Sequence, residues 1–79
     1  YPQVLVNLPV RDKSAALADL AIAEAISKAV ELLGEQGRLL VRASGTEELV
    51  RVMAEADTIE RAQETVTSLA ALIKSRHGA

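Results

Sequence analysis

The sequence has no cysteine, no tryptophan and no phenylalanine, and its one tyrosine is residue 1. Without cysteine there is no disulfide framework, no thiol nucleophile and no thiolate metal site, a pattern that suits a reducing compartment such as the cytoplasm. Without Phe or Trp, a core has to be built from Leu, Ile, Val and Ala, which leaves little stabilisation in reserve. Positive charge is not in excess: 9 Lys and Arg stand against 11 Asp and Glu, for a formal net charge of −2. That balance argues against nucleic acid as a partner, because phosphate-backbone binding needs a clear cationic surplus. No apolar run approaches the ~20 residues of a membrane span, so a membrane partner is not expected. There is no signal-peptide pattern either. A chain of 79 residues is one domain, at a size that buries only about 60% of its unfolded surface. It opens on Tyr1-Pro2 rather than methionine, and the expectation is a fragment of a longer protein.

What is present is a change of hydrophobic period along the chain. In "VLVNLPV" (4–10) Val4, Val6, Leu8 and Val10 alternate, as one face of a strand does. Pro9 lacks an amide hydrogen, so this strand belongs at a sheet edge or end. From Ser14 to Leu33 the spacing becomes helical, with Ala18, Ile22, Ile26, Val30 and Leu33 on one stripe. Gly34 is placed to end that helix in a conformation with positive φ. "RLLVRA" (38–43) and "LVRVMAEA" (49–56) read as two strands joined through Ser44–Glu48, a length suited to a hairpin containing glycine. Asp57 and Glu60 have capping-box spacing. A second helix carries Ile59, Ala62, Val66, Leu69 and Ile73 on its stripe, with Lys74, Arg76 and His77 in its last turn. His77, near the chain end, is expected to be solvated. The order β-α-β-β-α predicts an α+β domain: a small antiparallel sheet with two helices packed on one face.

Alternation then locates the unusual residues. If Leu39, Val41 and Ala43 face the helices, Leu40 and Arg42 face away. In the partner strand Val50, Val52, Ala54 and Ala56 face the helices, and Leu49, Arg51, Met53 and Glu55 do not. Arg42 and Arg51 therefore share the open face at the mouth of the Ser44–Glu48 turn. Two forked guanidiniums beside a turn with two hydroxyls and a glycine suit an anion such as phosphate. Gly45 lets backbone approach a ligand closely. The residues alone leave a second reading open, in which the arginines are a solvated face, Ser-Gly-Thr is ordinary turn chemistry and Glu47, Glu48 and Glu55 absorb the charge.

The stretch "GRLLVRASGTEELVRVMAEA" (37–56) resembles the Arg-x-Ser-Gly-Thr-Glu-Pro region near the C-terminus of the α-D-phosphohexomutases. The opening "YPQVLVNLPV" and the closing amphipathic helix fit the same domain, so the likeness spans the chain. The resemblance implies the last domain of a four-domain enzyme, TATA-box-binding-protein-like in fold, with residues 1–79 forming one substrate-phosphate-binding unit. That fold label carries no implication of DNA binding. It further implies that Arg42, Ser44, Gly45 and Thr46 contact the phosphate of a bound phosphosugar, with Arg51 adding charge and Glu47 pairing with an arginine. One departure is Glu48, where the family usually has proline; a freer turn and a negative charge beside the anion site are the expected consequences.

The family's phosphoserine nucleophile and aspartate-rich Mg²⁺ loop lie, by the same resemblance, on other domains, which would be this chain's partners along with the phosphosugar. Ser14, Ser27, Ser44, Ser68 and Ser75 match no nucleophile motif, and Asp12, Asp19 and Asp57 are scattered. No catalytic residue and no metal ligand is expected here. The competing reading from another class is a small interaction module that uses Leu40, Leu49 and Met53 as an interface.

Overall fold

The computed structural model describes residues 1–79. Three strands, β1 (Gln3–Pro9), β2 (Arg38–Ala43) and β3 (Leu49–Glu55), form one antiparallel sheet in the order β1-β3-β2. Strand β3 is central, and its inward residues Val50, Val52 and Ala54 are fully buried. β1 pairs with β3 from Gln3 opposite Glu55 to Pro9 opposite Leu49, and β2 pairs with it from Arg38 opposite Glu55 to Ala43 opposite Val50. Pro9 thus lies at the end of an edge strand, where its missing donor costs no central ladder bond. The expected α+β sheet with helices on one face is what forms. The core is aliphatic throughout: Val10, Ala16, Ile22, Leu33, the three β3 residues, Ala56, Ala62, Val66, Leu69 and Ile73.

The first helical segment departs from expectation. In place of one helix over 14–33 there are two, α1 (Lys13–Ala18) and α2 (Leu20–Leu33). Asp19 stands between them in an extended conformation (φ −72°, ψ 121°), and its carboxylate accepts from the Ala21 amide at 2.9 Å. A short carboxylate that caps the following helix competes with helix continuation at its own position. The break changes the buried stripe. Ala16 is buried in place of Ala18, and Val30 is 49% exposed, while Ile22 and Leu33 keep their places in the core. Asp12 caps α1 through the amides of Ser14 and Ala15. Gly34, with φ 65°, ends α2 as expected and leads through one 3₁₀ turn into β2.

Helix α3 (Ile59–His77) packs over β1 and β3 with Ala62, Val66, Leu69 and Ile73 buried; Ile59, expected on that stripe, is 46% exposed. Its cap is Thr58 rather than Asp57. The Thr58 hydroxyl accepts from the Arg61 amide at 3.2 Å, and Asp57 makes an ion pair with the Arg61 guanidinium at 2.7 Å. His77 is also unlike the solvated terminal residue expected. Its side chain is 17% exposed, and Nε2 lies 2.7 Å from Asp19 Oδ2. Arg76 Nε donates to the same oxygen at 2.7 Å. Arg76 first, then His77, hold the Asp19 carboxyl far below the usual carboxylate range; the same contact raises the Arg76 guanidinium. Two backbone bonds, from the Arg11 amide to the His77 carbonyl (3.0 Å) and from Ala79 to Pro9 (3.4 Å), close this junction.

Candidate anion-binding site

Register turns the strand parity into rows across the open face of the sheet. One row is Asn7, Arg51 and Arg42; the next is Leu5, Met53 and Leu40; the last is Gln3, Glu55 and Arg38. Arg42 and Arg51 are direct partners in the β2–β3 pairing, so the sequence-level placement on one face is matched and narrowed to adjacency. Like charges directly opposite each other in a sheet repel. Neither side chain of this pair meets a carboxylate in an ion pair. The ion pairs are Arg61–Asp57 and Arg76–Asp19, with His77 Nε2 also against Asp19, and neither exposed arginine of the row donates a hydrogen bond within the chain.

The carboxylates that the alternative reading relied on are engaged elsewhere or make no ion pair. Glu55 accepts from Gln3 Nε2 at 2.9 Å. Glu48 accepts from the Lys13 amide at 2.8 Å, so its charge is directed to the start of α1. Glu47 makes no ion pair, contrary to its expected role as a partner for arginine. Ala43, expected on the helix side, remains exposed at the loop end of β2.

The loop between β2 and β3 is held at several points. The Ser44 amide donates to the Leu49 carbonyl at 2.9 Å, and the Val10 amide to the Glu48 carbonyl at 3.0 Å. Inside it, the Ser44 hydroxyl accepts long bonds from the amides of Thr46 and Glu47, both 3.4 Å. Lys13 reaches in from α1, its Nζ donating to the carbonyls of Ser44 (2.7 Å) and Glu47 (3.2 Å). The turn freed by loss of proline is therefore tethered by other means. Gly45 has no positive φ, and a Cβ built on it would meet nothing within 4 Å. Neither backbone strain nor internal packing demands glycine there; its bareness leaves open space beside the loop backbone.

Arg42, Ser44, Gly45, Thr46 and Arg51 thus lie together at one end of the open face and its adjoining loop. Sequence reasoning missed two neighbours. Asn7 extends the row because β1 pairs with β3, a partnership that alternation alone cannot give. Lys13 sits in a stretch that reads only as polar punctuation, 31 residues from its nearest loop contact. Chemically the site offers two unpaired guanidiniums, the Thr46 hydroxyl and a glycine amide, all without a partner in the chain. That set suits a dianionic, oxygen-rich group. No three His, Cys, Asp or Glu residues converge into a metal-holding group.

Comparison with known proteins gives the family. Residues 5–72 match the family described as phosphoglucomutase/phosphomannomutase, C-terminal domain. A phosphoglucosamine mutase from Bifidobacterium animalis subsp. lactis is 53% identical over 72 residues, 91% of this chain and 16% of that protein. Among solved structures, the N-acetylphosphoglucosamine mutase of Aspergillus fumigatus superposes with a TM-score of 0.81 at 28% identity, over 99% of this chain and 16% of that one. The same enzyme in complex with GlcNAc-6P and magnesium matches with a TM-score of 0.64 at 28% identity, over 94% and 15%. The chain spans about a sixth of the length of these relatives. With matching extending over nearly its whole length and Arg42-x-Ser-Gly-Thr set at the mouth of its hairpin, this chain belongs to the phosphoglucomutase/phosphomannomutase family as a C-terminal domain.

Proposed function

We propose that this domain is the substrate-phosphate clamp of a phosphoglucosamine mutase, which interconverts glucosamine 6-phosphate and glucosamine 1-phosphate. The observation that carries the reading is the Arg42–Arg51 pair, opposed in register, exposed and without an internal counter-charge. A phosphate bound between them supplies both guanidiniums with the counter-charge that the chain does not. Arg42 supplies forked donors to phosphate oxygens and Arg51 adds charge beside it. Ser44 and Thr46 supply hydroxyls, and Gly45 admits the phosphate to the backbone.

The clamp holds the phosphate that does not react. Phosphoryl transfer itself, with its serine nucleophile and its magnesium, belongs to other domains of the parent enzyme. Grip on the remote phosphate contributes by orienting the sugar at the reacting centre. Because the sugar binds with either its 1- or its 6-position at that centre, a site that recognises phosphate rather than a sugar face serves both orientations. The same domain in a mutase of glucose or mannose phosphates would show the same geometry; the relatives that resemble this chain act on hexosamine phosphates by their names.

The test is an NMR titration of the chain with inorganic phosphate, sulfate and a phosphosugar. Affinity should be on the order of millimolar, since two or three exposed charge-assisted contacts barely exceed the entropy of association. It should weaken with salt. Shifts should cluster at residues 42–47 and 51, with inorganic phosphate reproducing most of them. Shifts centred on the helices, or a response to unphosphorylated sugar, would show that the loop is not a phosphate site. Shifts at Leu40, Leu49 and Met53 that depend only on protein concentration would favour an interaction module.

A further inference from the structure

We propose that Lys13 is the positioning residue of the Ser44–Glu48 loop and that, together with Glu48, it sets the loop's shape before an anion arrives. The inference rests on the phosphate-clamp reading above and adds a residue outside the loop's own sequence. Its ammonium donates to two carbonyls that bracket the loop, Ser44 at 2.7 Å and Glu47 at 3.2 Å. In return, the carboxylate of Glu48 accepts from the Lys13 amide at 2.8 Å. The two contacts run in opposite directions between the same two segments, so each holds the other's backbone in place. Residues 10–13 are themselves fixed from both sides, by Val10 donating to Glu48 and by Arg11 donating to His77.

Peptide geometry converts this staple into a functional statement. Every peptide bond in the chain is trans, and in a planar trans peptide the N–H points opposite to the C=O. Drawing the Ser44 carbonyl toward Lys13 therefore aims the Gly45 amide away from it. Drawing in the Glu47 carbonyl does the same for the Glu48 amide. These are the two loop amides that make no hydrogen bond within the chain, whereas those of Ser44, Thr46 and Glu47 are all engaged. Lys13 thus presents both unengaged donors on the side of the loop remote from α1. The one ammonium, shared by the two carbonyls, also polarises both peptides and strengthens the donor at the other end of each. Lysine suits the task because its point charge can serve two carbonyls that share no plane.

The experiment compares the wild-type chain with Lys13→Met, Lys13→Gln and Lys13→Arg, by ¹H–¹⁵N NMR with and without inorganic phosphate. In the unliganded chain, Lys13→Met should move the Gly45 and Glu48 amide resonances while the β1, β3 and α3 resonances stay in place. Phosphate binding should weaken about three- to tenfold, the loss expected from one or two partly exposed hydrogen bonds. Arginine should restore part of it. Lys13→Gln, neutral but polar, guards against a folding defect in the methionine variant and should weaken binding in the same sense. Wild-type phosphate affinity in both neutral variants, with Gly45 and Glu48 responding as before, would overturn the role of Lys13 and leave the clamp standing. A wild-type chain whose loop ignores phosphate would overturn the clamp and this inference with it.

Discussion

The two ends of this small domain use the same side chain in opposite ways. Where α3 ends, Arg76 is locked to Asp19 beside His77, and Arg11 donates to the Arg76 carbonyl at 2.7 Å. On the open face, Arg42 and Arg51 oppose each other with no carboxylate between them. The first cluster closes the fold: it joins the α1–α2 break to the last turn of α3 and answers the Arg76 charge with Asp19. The second makes no ion pair or hydrogen bond within the chain, so it adds no contact that closes the fold. Internal pairing marks Arg76 as structural, and the lack of it at Arg42 and Arg51 is what the proposed clamp rests on.

The sharpest way to break that contrast is Arg42→Ala in a full-length mutase carrying this domain. Loss of one charged hydrogen-bonding group, about 1.5–3 kcal/mol, predicts a roughly ten- to hundredfold fall in kcat/KM. The melting temperature should scarcely move, because the side chain is exposed and holds nothing in place. Wild-type kinetics would end its assignment to the clamp.

Asp19→Asn should give the mirror image. Asparagine still caps α2, but the charge that holds Arg76 and His77 is gone. The melting temperature should fall by roughly 4–8 °C, while the loop's response to phosphate is unchanged. A stable variant would show that the junction is incidental to the fold.

The smallest effect is in acid. The folded Asp19 carboxyl lies below its ordinary range, held there by Arg76 and then His77, whereas the unfolded carboxyl titrates near ~3.9. Its contribution to stability is therefore complete above pH ~4 and is lost as pH falls from there toward the depressed folded value. Melting temperature against pH should drop more steeply below pH ~4 for the wild type than for Asp19→Asn. Parallel curves would mean that the contact does not form in solution.

Much of the fold was legible in the sequence because its signals are local and periodic. Alternation in 4–10, 38–43 and 49–56 and the helical spacing after 58 come from side chains whose direction the backbone repeat dictates. The same parity put Arg42 and Arg51 on one face before any pairing was known. Asp19 was not legible as a helix break. An isolated aspartate inside a helical pattern has only a modest intrinsic penalty, and what accompanies the break is the arrival of Arg76 and His77 from the far end of the chain. Nor could spacing decide between Asp57 and Thr58 as the cap of α3, since both are competent acceptors one residue apart; only the structure gives Asp57 to the Arg61 side chain.

The sequence by itself therefore determined which residues are apolar at which period, where strands give way to helices, and that two arginines flank a Ser-Gly-Thr turn. Tertiary structure decided the rest. It alone made Arg42 the direct neighbour of Arg51, added Asn7 to their row, drew Glu48 away from them and brought Lys13 to the loop's carbonyls. The physical reason is range. Periodicity is enforced within a few residues by backbone geometry, whereas register, charge pairing and loop tethering depend on strand order and on contacts across 30 residues or more, which no local propensity encodes.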